Sequence, residues 1–316
     1  MGKVKRKSPY AGEWKPFFRK LPWLLLIPAF YGIGILAAKY PDTTENVYSA
    51  PLYPYISRAL GYITSLARGV SVSECVVLGL IVAAIVLVIV FIVKLFSGRL
   101  RFAQLMSFIM GVCVFALEKD SAAEFSKIPA AYRLLGADYS IFSGTVYPAK
   151  GVKASVAMSY GGIAGIYIPY FAEANVNINQ PALLIASSAA HETAHYLGVA
   201  REDEANFVSY LACTYSLDAS VRYSGTMLAL INCANQLYAS DAELYRRLVS
   251  EYYSEGMLRD LRDYNAYWDS FEGPIEEAVD NMNDNYLKFN KQENGVKSYG
   301  MMVDLLLAYY AKGSAQ

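Results

Sequence analysis

Two long runs of uncharged, apolar residues constrain this chain more than any other feature. Residues 21–38 contain no charged side chain, and residues 75–93 consist mainly of Val, Ile and Leu. Each run is long enough to cross the hydrocarbon core of a bilayer as a helix, which takes roughly 17–25 residues. A weaker run over residues 102–117 contains Gln104 and Ser107, and a buried soluble helix is its alternative interpretation. The pattern predicts three transmembrane helices.

Charge is distributed unevenly, although 28 basic side chains balance 28 acidic ones. Residues 1–20 carry a net charge of +6, whereas the chain from residue 118 onward carries −9. Lys94, Arg99 and Arg101 lie between the second and third apolar runs. Because basic loops favour the cytoplasmic face, we expect a multi-pass protein of a cell membrane with a cytoplasmic N-terminus and an extracytoplasmic second half. The expected partners include the lipid bilayer and exclude nucleic acid, since the net charge is zero.

The two halves are expected to form separate domains, a membrane domain over residues 1–118 and an extracytoplasmic domain over residues 119–316. Within the second, Ala154–Ser159 and Ile163–Ile168 have the composition of short strands and predict a small sheet. Beyond Pro181, apolar residues recur at spacings of three and four, which predicts a series of helices. The predicted fold class is therefore mostly α: membrane helices, then an α+β domain with a small sheet and a helical C-terminal part.

Both histidines of the chain lie in one pentapeptide, His191-Glu192-Thr193-Ala194-His195. Residues four apart share one face of a helix, so both imidazoles can bind the same metal ion. Glu192 follows the first histidine and can accept a proton from a water that the metal activates. This HExxH pattern predicts a Zn²⁺ site with Glu192 as the catalytic base. The alternative is an amphipathic helix with two ordinary histidines.

The third metal ligand has to be acidic, because the chain has no other histidine. Gly198 can end the helix and let the chain turn back, so that Glu202 begins the next helix facing the metal. Asp203 and Glu204 are alternatives for this role. Asn206 follows Glu202 by four residues and is suited to a hydrogen bond that orients a ligand.

The HExxH motif resembles that of the gluzincin-type metallopeptidases, which include thermolysin and the membrane-bound CaaX-processing proteases. In that group the ligand Glu is followed three and four residues later by a small residue and Asp. Glu202, Ala205 and Asn206 are similar to this pattern, with Asn in place of Asp. The resemblance implies a zincin-like domain with metallopeptidase activity.

A second resemblance covers nearly the whole chain. Three apolar runs, then Gly165–Pro169, Glu173–Asn177 and the HExxH motif continuing into Glu202–Phe207, resemble an uncharacterised bacterial family catalogued as domain of unknown function 3810. Asn285–Lys288 and Gly295–Gly300 are similar to its C-terminal signature. This resemblance implies a membrane-anchored bacterial zinc peptidase and no known substrate.

Several residues near the motif have two possible roles. Tyr299 is the candidate donor to the oxyanion of the transition state. Gly161–Tyr170 is expected to form either an edge strand to which a peptide could add as a further strand, or an ordinary core strand. Glu173 could line the cleft or lie on the surface. Cys213 and Cys233 could form a disulfide or remain buried free thiols.

Taken together, these features predict a membrane-anchored zinc metallopeptidase that hydrolyses a peptide or protein substrate. An intramembrane protease of the site-2 type is one alternative, and a non-catalytic membrane sensor that keeps the zinc site is another. The presence of Glu192, which is not a metal ligand, favours the enzyme. Whether cleavage is internal or terminal, and how many chains assemble, stay open.

Overall fold

The computed structural model describes residues 39–49, 51–67, 69–96, 125–289 and 301–313, together with residues 33 and 36. The chain divides into two compact units, Met1–Leu52 and Tyr53–Gln316. The first unit contains a short helix α1, Pro41–Thr44, followed by a π-helical turn, Glu45–Ser49.

The second unit is mostly helical and contains a small sheet. Its strands are β1 (Lys150–Val152), β2 (Gly165–Ile168) and β3 (Glu173–Asn177). Its first helices are α2 (Tyr53–Ser65), α3 (Val72–Phe96), α4 (Lys127–Asp138), with the 3-10 turn Ser140–Phe142 after it, and α5 (Ser155–Tyr160). After the sheet come α6 (Ala182–Tyr196), α7 (Glu202–Tyr215), α8 (Ala219–Ser240), α9 (Ala242–Tyr252), α10 (Glu255–Asp269), α11 (Pro274–Phe289) and α12 (Met302–Gly313).

The sheet has three strands in the order β1-β3-β2, so β2 lies at an edge. β1 runs parallel to β3, with Lys150 opposite Asn175. β2 runs antiparallel to β3, with Tyr167 opposite Ala174. Every residue of β3 is buried, whereas β2 is only partly so. The expectation of a small sheet ahead of a helical part is therefore confirmed.

One of the predicted strands is wrong, because Ser155–Tyr160 forms the helix α5 where a strand was expected over Ala154–Ser159. The two buried side chains of this helix, Ser155 and Ser159, are four residues apart, as on one helix face. Ser159 Oγ donates to the Ser155 carbonyl, and Asn177 Nδ2 donates to Ser159 Oγ, both at 3.0 Å. The alternating sequence fits a strand, but these tertiary contacts stabilise a helix.

The helix α6 is central to the second unit and packs against α7, α8, β2 and β3. Its small side chains let the neighbouring helices come close enough for direct hydrogen bonds. The Ser187 N–H donates to Ser224 Oγ of α8 at 3.0 Å, and Ser209 Oγ of α7 donates to the Ser187 carbonyl at 2.7 Å. The hydroxyl of Tyr132, a fully buried residue of α4, donates to the Ala190 carbonyl at 2.6 Å. These contacts fix α6 just ahead of the HExxH motif.

A buried ion pair connects the sheet to α2 and α3. Lys150 Nζ lies 2.6 Å from Glu173 Oε1 and also donates to the Thr64 carbonyl at 2.6 Å. Glu173 further accepts the Ser73 N–H at 2.8 Å, in the first turn of α3. Glu173 is therefore buried and is not a surface residue. Thr64 and Ser73, which fall in the predicted membrane domain, thus contact the sheet. The predicted domain boundary at residue 118 lies outside the described residues.

Within the described part of the chain, no helix combines the length and the apolarity needed to cross a bilayer. This finding contradicts the predicted three transmembrane helices and the multi-pass cell-membrane localisation with a cytoplasmic N-terminus. Residues 75–93 lie in α3, residues 102–117 lie outside the described residues, and of residues 21–38 only 33 and 36 are described.

The physical reason is that hydropathy records the apolar character of a run of residues and not the polar contacts that the helix makes with the rest of the protein. α3 begins among polar protein contacts. Ser73 Oγ donates to Glu173 Oε2 at 2.7 Å, and the Glu74 carboxylate accepts the N–H groups of Lys153 and Ala154 at 3.0 and 2.7 Å. An apolar run in the sequence carries no information about such contacts.

Candidate metal centre

The turn after α6 reverses the chain at Gly198. α6 ends at Tyr196, and Gly198 has a φ of 102°, in the left-handed region that glycine adopts without a steric cost. Its N–H donates to the His195 carbonyl at 3.0 Å. The next helix then begins at Glu202, whose side chain consequently faces back toward α6.

Three side chains from the two helices converge at this reversal. His191 Nε2 lies 3.0 Å from His195 Nε2 and 3.1 Å from Glu202 Oε2. His195 Nε2 lies 3.5 Å from the same carboxylate oxygen. The three side chains are only 12–14% exposed, so the cluster is nearly closed to solvent. Their arrangement could hold a metal ion.

The donor set suits a zinc ion. Two imidazole nitrogens and one carboxylate oxygen are the ligands typical of zinc sites that leave a fourth position open. Bonds of about 2.0–2.1 Å at tetrahedral angles separate ligand atoms by about 3.3 Å, and the three contacts here span 3.0–3.5 Å. His195 Nδ1 lies 2.7 Å from the Val199 carbonyl, which leaves Nε2 for a metal. Among the described residues, His191 Nδ1 has no hydrogen-bond partner.

The electrostatics of the cluster follow from its packing. Burial alone raises the pKa of Glu202, but hydrogen bonds from His191 and His195 outweigh it and hold that pKa well below its usual range. Burial lowers the pKa of His195, yet the hydrogen bond to Glu202 and the charges of Glu192 and Glu202 raise it overall to about 9. The cluster therefore concentrates negative charge against two nitrogens, which favours a cation between them.

Glu192 lies on the same helix in a different environment. It is buried, and burial raises the pKa of its carboxyl group, partly offset by His191 and His195. The Tyr167 N–H of β2 donates a hydrogen bond to this carboxylate. A Cβ added at Gly165 would lie 2.5 Å from Glu192 Oε1, so the strand passes directly against the side chain. The edge strand β2 is therefore in contact with the predicted catalytic base.

The structure distinguishes between the acidic residues that compete for the third ligand position. Asp203 pairs with Arg201 through two hydrogen bonds of 3.0 and 3.1 Å and is not part of the cluster. Glu204 is 50% exposed and lies 3.7 Å from Arg201. Only Glu202 of the three lies beside the histidines. Asn206 is buried one helical turn beyond Glu202.

The remaining candidates have mixed outcomes. Tyr299 lies outside the described residues. Within Gly161–Tyr170 the segment Gly165–Ile168 forms a strand at the edge of the sheet, which agrees with the first of the two expectations. Cys213 and Cys233 are both free, so they form no disulfide; Cys213 is buried and Cys233 partly so.

Tyr53 and Tyr167 were not identified from the sequence, although both contact the centre. Their hydroxyl groups lie 2.5 Å apart, and the Tyr53 hydroxyl also donates to the His195 carbonyl at 3.5 Å. The chain contains 27 tyrosines; Tyr167 lies within the Gly165–Pro169 motif, but nothing in the sequence pairs it with Tyr53. Only the tertiary structure brings them together.

The described part of the chain thus defines a helical protein with a three-stranded sheet and a His-His-Glu cluster beside a buried glutamate. A family model described as protein of unknown function (DUF3810) matches residues 114–307, more than half of the chain. The chain belongs to this family. The predicted resemblance to domain of unknown function 3810 is therefore confirmed. No curated protein and no solved structure matches the chain.

Proposed function

We propose that this protein is a zinc-dependent metallopeptidase related in its chemistry to the gluzincins. The observation that carries the proposal is the convergence of His191 Nε2, His195 Nε2 and Glu202 Oε2 within 3.0–3.5 Å of one another. A structural zinc site has four protein ligands, whereas the described residues supply three. Glu192 supports the same function. Its carboxylate is not one of the three clustered ligands, and a carboxylate in that position can serve as the base that accepts a proton from a metal-activated water.

In the proposed reaction, the metal activates the water and the side chains hold the metal and transfer the proton. When bound, zinc supplies Lewis acidity and lowers the pKa of a coordinated water toward about 7. His191, His195 and Glu202 would hold it. The carboxylate of Glu192 would accept the proton of the attacking water and deliver it to the leaving amine. Burial raises the pKa of Glu192, which brings this proton acceptor closer to neutral pH.

The edge position of β2 supports a peptide as the substrate. A peptide in extended conformation can pair with an exposed strand edge through main-chain hydrogen bonds. β2 lies at the end of the strand order and touches Glu192 through Gly165 and Tyr167. A peptide paired with β2 would therefore lie next to the proposed base.

The test compares the purified protein with its Glu192→Gln and Glu204→Gln variants. Bound zinc is measured by metal analysis, and cleavage by mass spectrometry on a mixture of peptides with free and blocked ends. We expect one zinc ion per chain in all three proteins, and cleavage by the parent and by Glu204→Gln only. Glu204 is the matched control because it is exposed and paired with Arg201.

Two outcomes would contradict the proposal. A protein that holds no zinc at neutral pH lacks the site altogether. A protein that holds zinc but cleaves no peptide, with or without Glu192, is the non-catalytic zinc protein considered above.

A further inference from the structure

The helix α2 lies outside the residues that match the family model, yet it contacts the candidate metal centre. The match covers residues 114–307, whereas α2 spans Tyr53–Ser65. Its C-terminal carbonyl at Thr64 accepts from Lys150 Nζ. A Cβ added at Gly61 would lie 3.0 Å from the Tyr196 hydroxyl. α2 therefore contacts α6 at Gly61 and the sheet at Thr64.

The first residue of α2, Tyr53, reaches the turn that follows the second histidine. Its hydroxyl donates to the His195 carbonyl at a long distance of 3.5 Å. Its ring lies 3.9 Å from the position that a Cβ on Gly198 would occupy. This is the turn that carries the Val199 carbonyl, which binds His195 Nδ1 at 2.7 Å. Tyr53 thus touches the backbone that sets the orientation of the His195 ring.

The same hydroxyl is bound to the strand that contacts Glu192. Tyr53 Oη lies 2.5 Å from Tyr167 Oη. If Tyr53 donates to the His195 carbonyl, Tyr167 must donate to Tyr53. The backbone N–H of Tyr167 donates to the Glu192 carboxylate. One chain of hydrogen bonds therefore runs from the turn after a metal ligand to the strand beside the base.

We infer that Tyr53 is a positioning residue, which fixes the turn after His195 against β2 and thereby orients the His195 imidazole for a metal ion. The inference rests on the proposed zinc site, but it concerns metal affinity and does not require turnover. Hydrogen-bond partners that orient a metal ligand are worth about 10–100-fold in affinity when the bond is direct. Because Tyr53 acts through the backbone, we expect about tenfold.

The test measures Zn²⁺ affinity by competition with a chelator, together with the visible absorption of the Co²⁺-substituted protein, at a temperature well below unfolding. Tyr53→Phe should bind Zn²⁺ about tenfold more weakly and show a shifted Co²⁺ band. Tyr210→Phe is the matched control, because it also removes one hydroxyl of a tyrosine pair, with Tyr310, between α7 and α12. That variant should keep the parent affinity and spectrum even where it lowers the unfolding temperature.

Tyr167→Phe removes one of the two hydrogen bonds of the Tyr53 hydroxyl and should weaken Zn²⁺ binding in the same direction, by no more than Tyr53→Phe does. It also covers the case in which Tyr53→Phe does not fold. The double variant should lose no more affinity than Tyr53→Phe, since Tyr53→Phe already removes the interaction that the two tyrosines share. Parent affinity and an unshifted band in Tyr53→Phe would overturn the inference while the proposed function stands. If the parent binds Zn²⁺ but cleaves no peptide, the proposed function is wrong. The Zn²⁺ affinities of the parent and of Tyr53→Phe then still test the inference. A parent without Zn²⁺ affinity would overturn both.

Discussion

Gly165 lies so close to the Glu192 carboxylate that no side chain fits between them. A Cβ built on Gly165 would lie 2.5 Å from Oε1 and 2.7 Å from Cγ of Glu192. The strand and the glutamate therefore determine one another's position, and the Tyr167 N–H two residues further adds a hydrogen bond. The sheet thus fixes where the proposed base stands relative to the histidines.

Gly165→Ala is expected to abolish most peptide cleavage while leaving zinc bound. The added methyl group must displace either Glu192 or β2, and a displacement of about 1 Å at a catalytic group can cost about 100-fold in rate. The histidines and Glu202 are untouched, so metal content should stay at one zinc per chain. Gly256→Ala, on α10, is the control, because its Cβ would meet only ordinary contacts beyond 3.6 Å. Normal cleavage by Gly165→Ala would show that Glu192 does not act from this position.

Glu202→Gln is expected to weaken zinc binding by more than about 100-fold. Losing a ligand should exceed the 10–100-fold cost of losing a group that only orients one. Glu204→Gln, two residues away and half exposed, should bind zinc like the parent. Affinity is measured by chelator competition for both variants. Equal losses of zinc affinity in the two variants would mean that the negative charge of this acidic segment, and not a specific ligand, holds the metal.

Lys150→Met is expected to lower the free energy of unfolding by about 3–5 kcal/mol, because it leaves the buried Glu173 carboxylate without its cation. Lys288→Met breaks the Lys288–Asp284 pair, whose lysine is 52% exposed, and should cost less than about 1 kcal/mol. Urea unfolding at neutral pH measures both. A Lys150→Met protein as stable as the parent would mean that the amide donors of α3 suffice to hold Glu173.

The thiol of Cys213 should make the protein less stable as pH rises. Burial raises the pKa of this thiol to about 12, against about 9 in the unfolded chain. The folded state therefore binds the proton more tightly, and its full contribution is present below pH 9. Between pH 9 and 12 stability should fall by about 1.4 kcal/mol per pH unit from this group. Urea titrations of the parent and of Cys213→Ala should differ in slope over that window. Identical slopes would show that the thiol ionises freely in the folded protein.

The helical part of the fold could be predicted from the sequence to a large extent. The apolar spacing beyond Pro181 agrees with helices such as α6, Ala182–Tyr196, because an amphipathic helix records its buried face in its own residues. α5 could not be predicted, since Ser155 and Ser159 are buried by contacts with Asn177 and its neighbours, more than fifteen residues away. The predicted membrane helices were wrong because the hydropathy of a run does not record the polar contacts that its helix makes, such as those of Ser73 and Glu74 at the start of α3.

The residue types of the candidate centre could be read from the sequence alone: two histidines one helical turn apart, a glutamate between them, and no third histidine, so that the predicted third ligand is acidic. The two histidines and this glutamate lie within five consecutive residues, and the 3.6-residue period of a helix is enough to predict that the histidines share one face. Which of Glu202, Asp203 and Glu204 lies beside the histidines depends on the tertiary structure, because the reversal at Gly198 and the ion pair with Arg201 set which carboxylate faces α6. The tertiary structure alone brought Tyr53 to the turn after His195, across a separation of 142 residues that no spacing rule bridges.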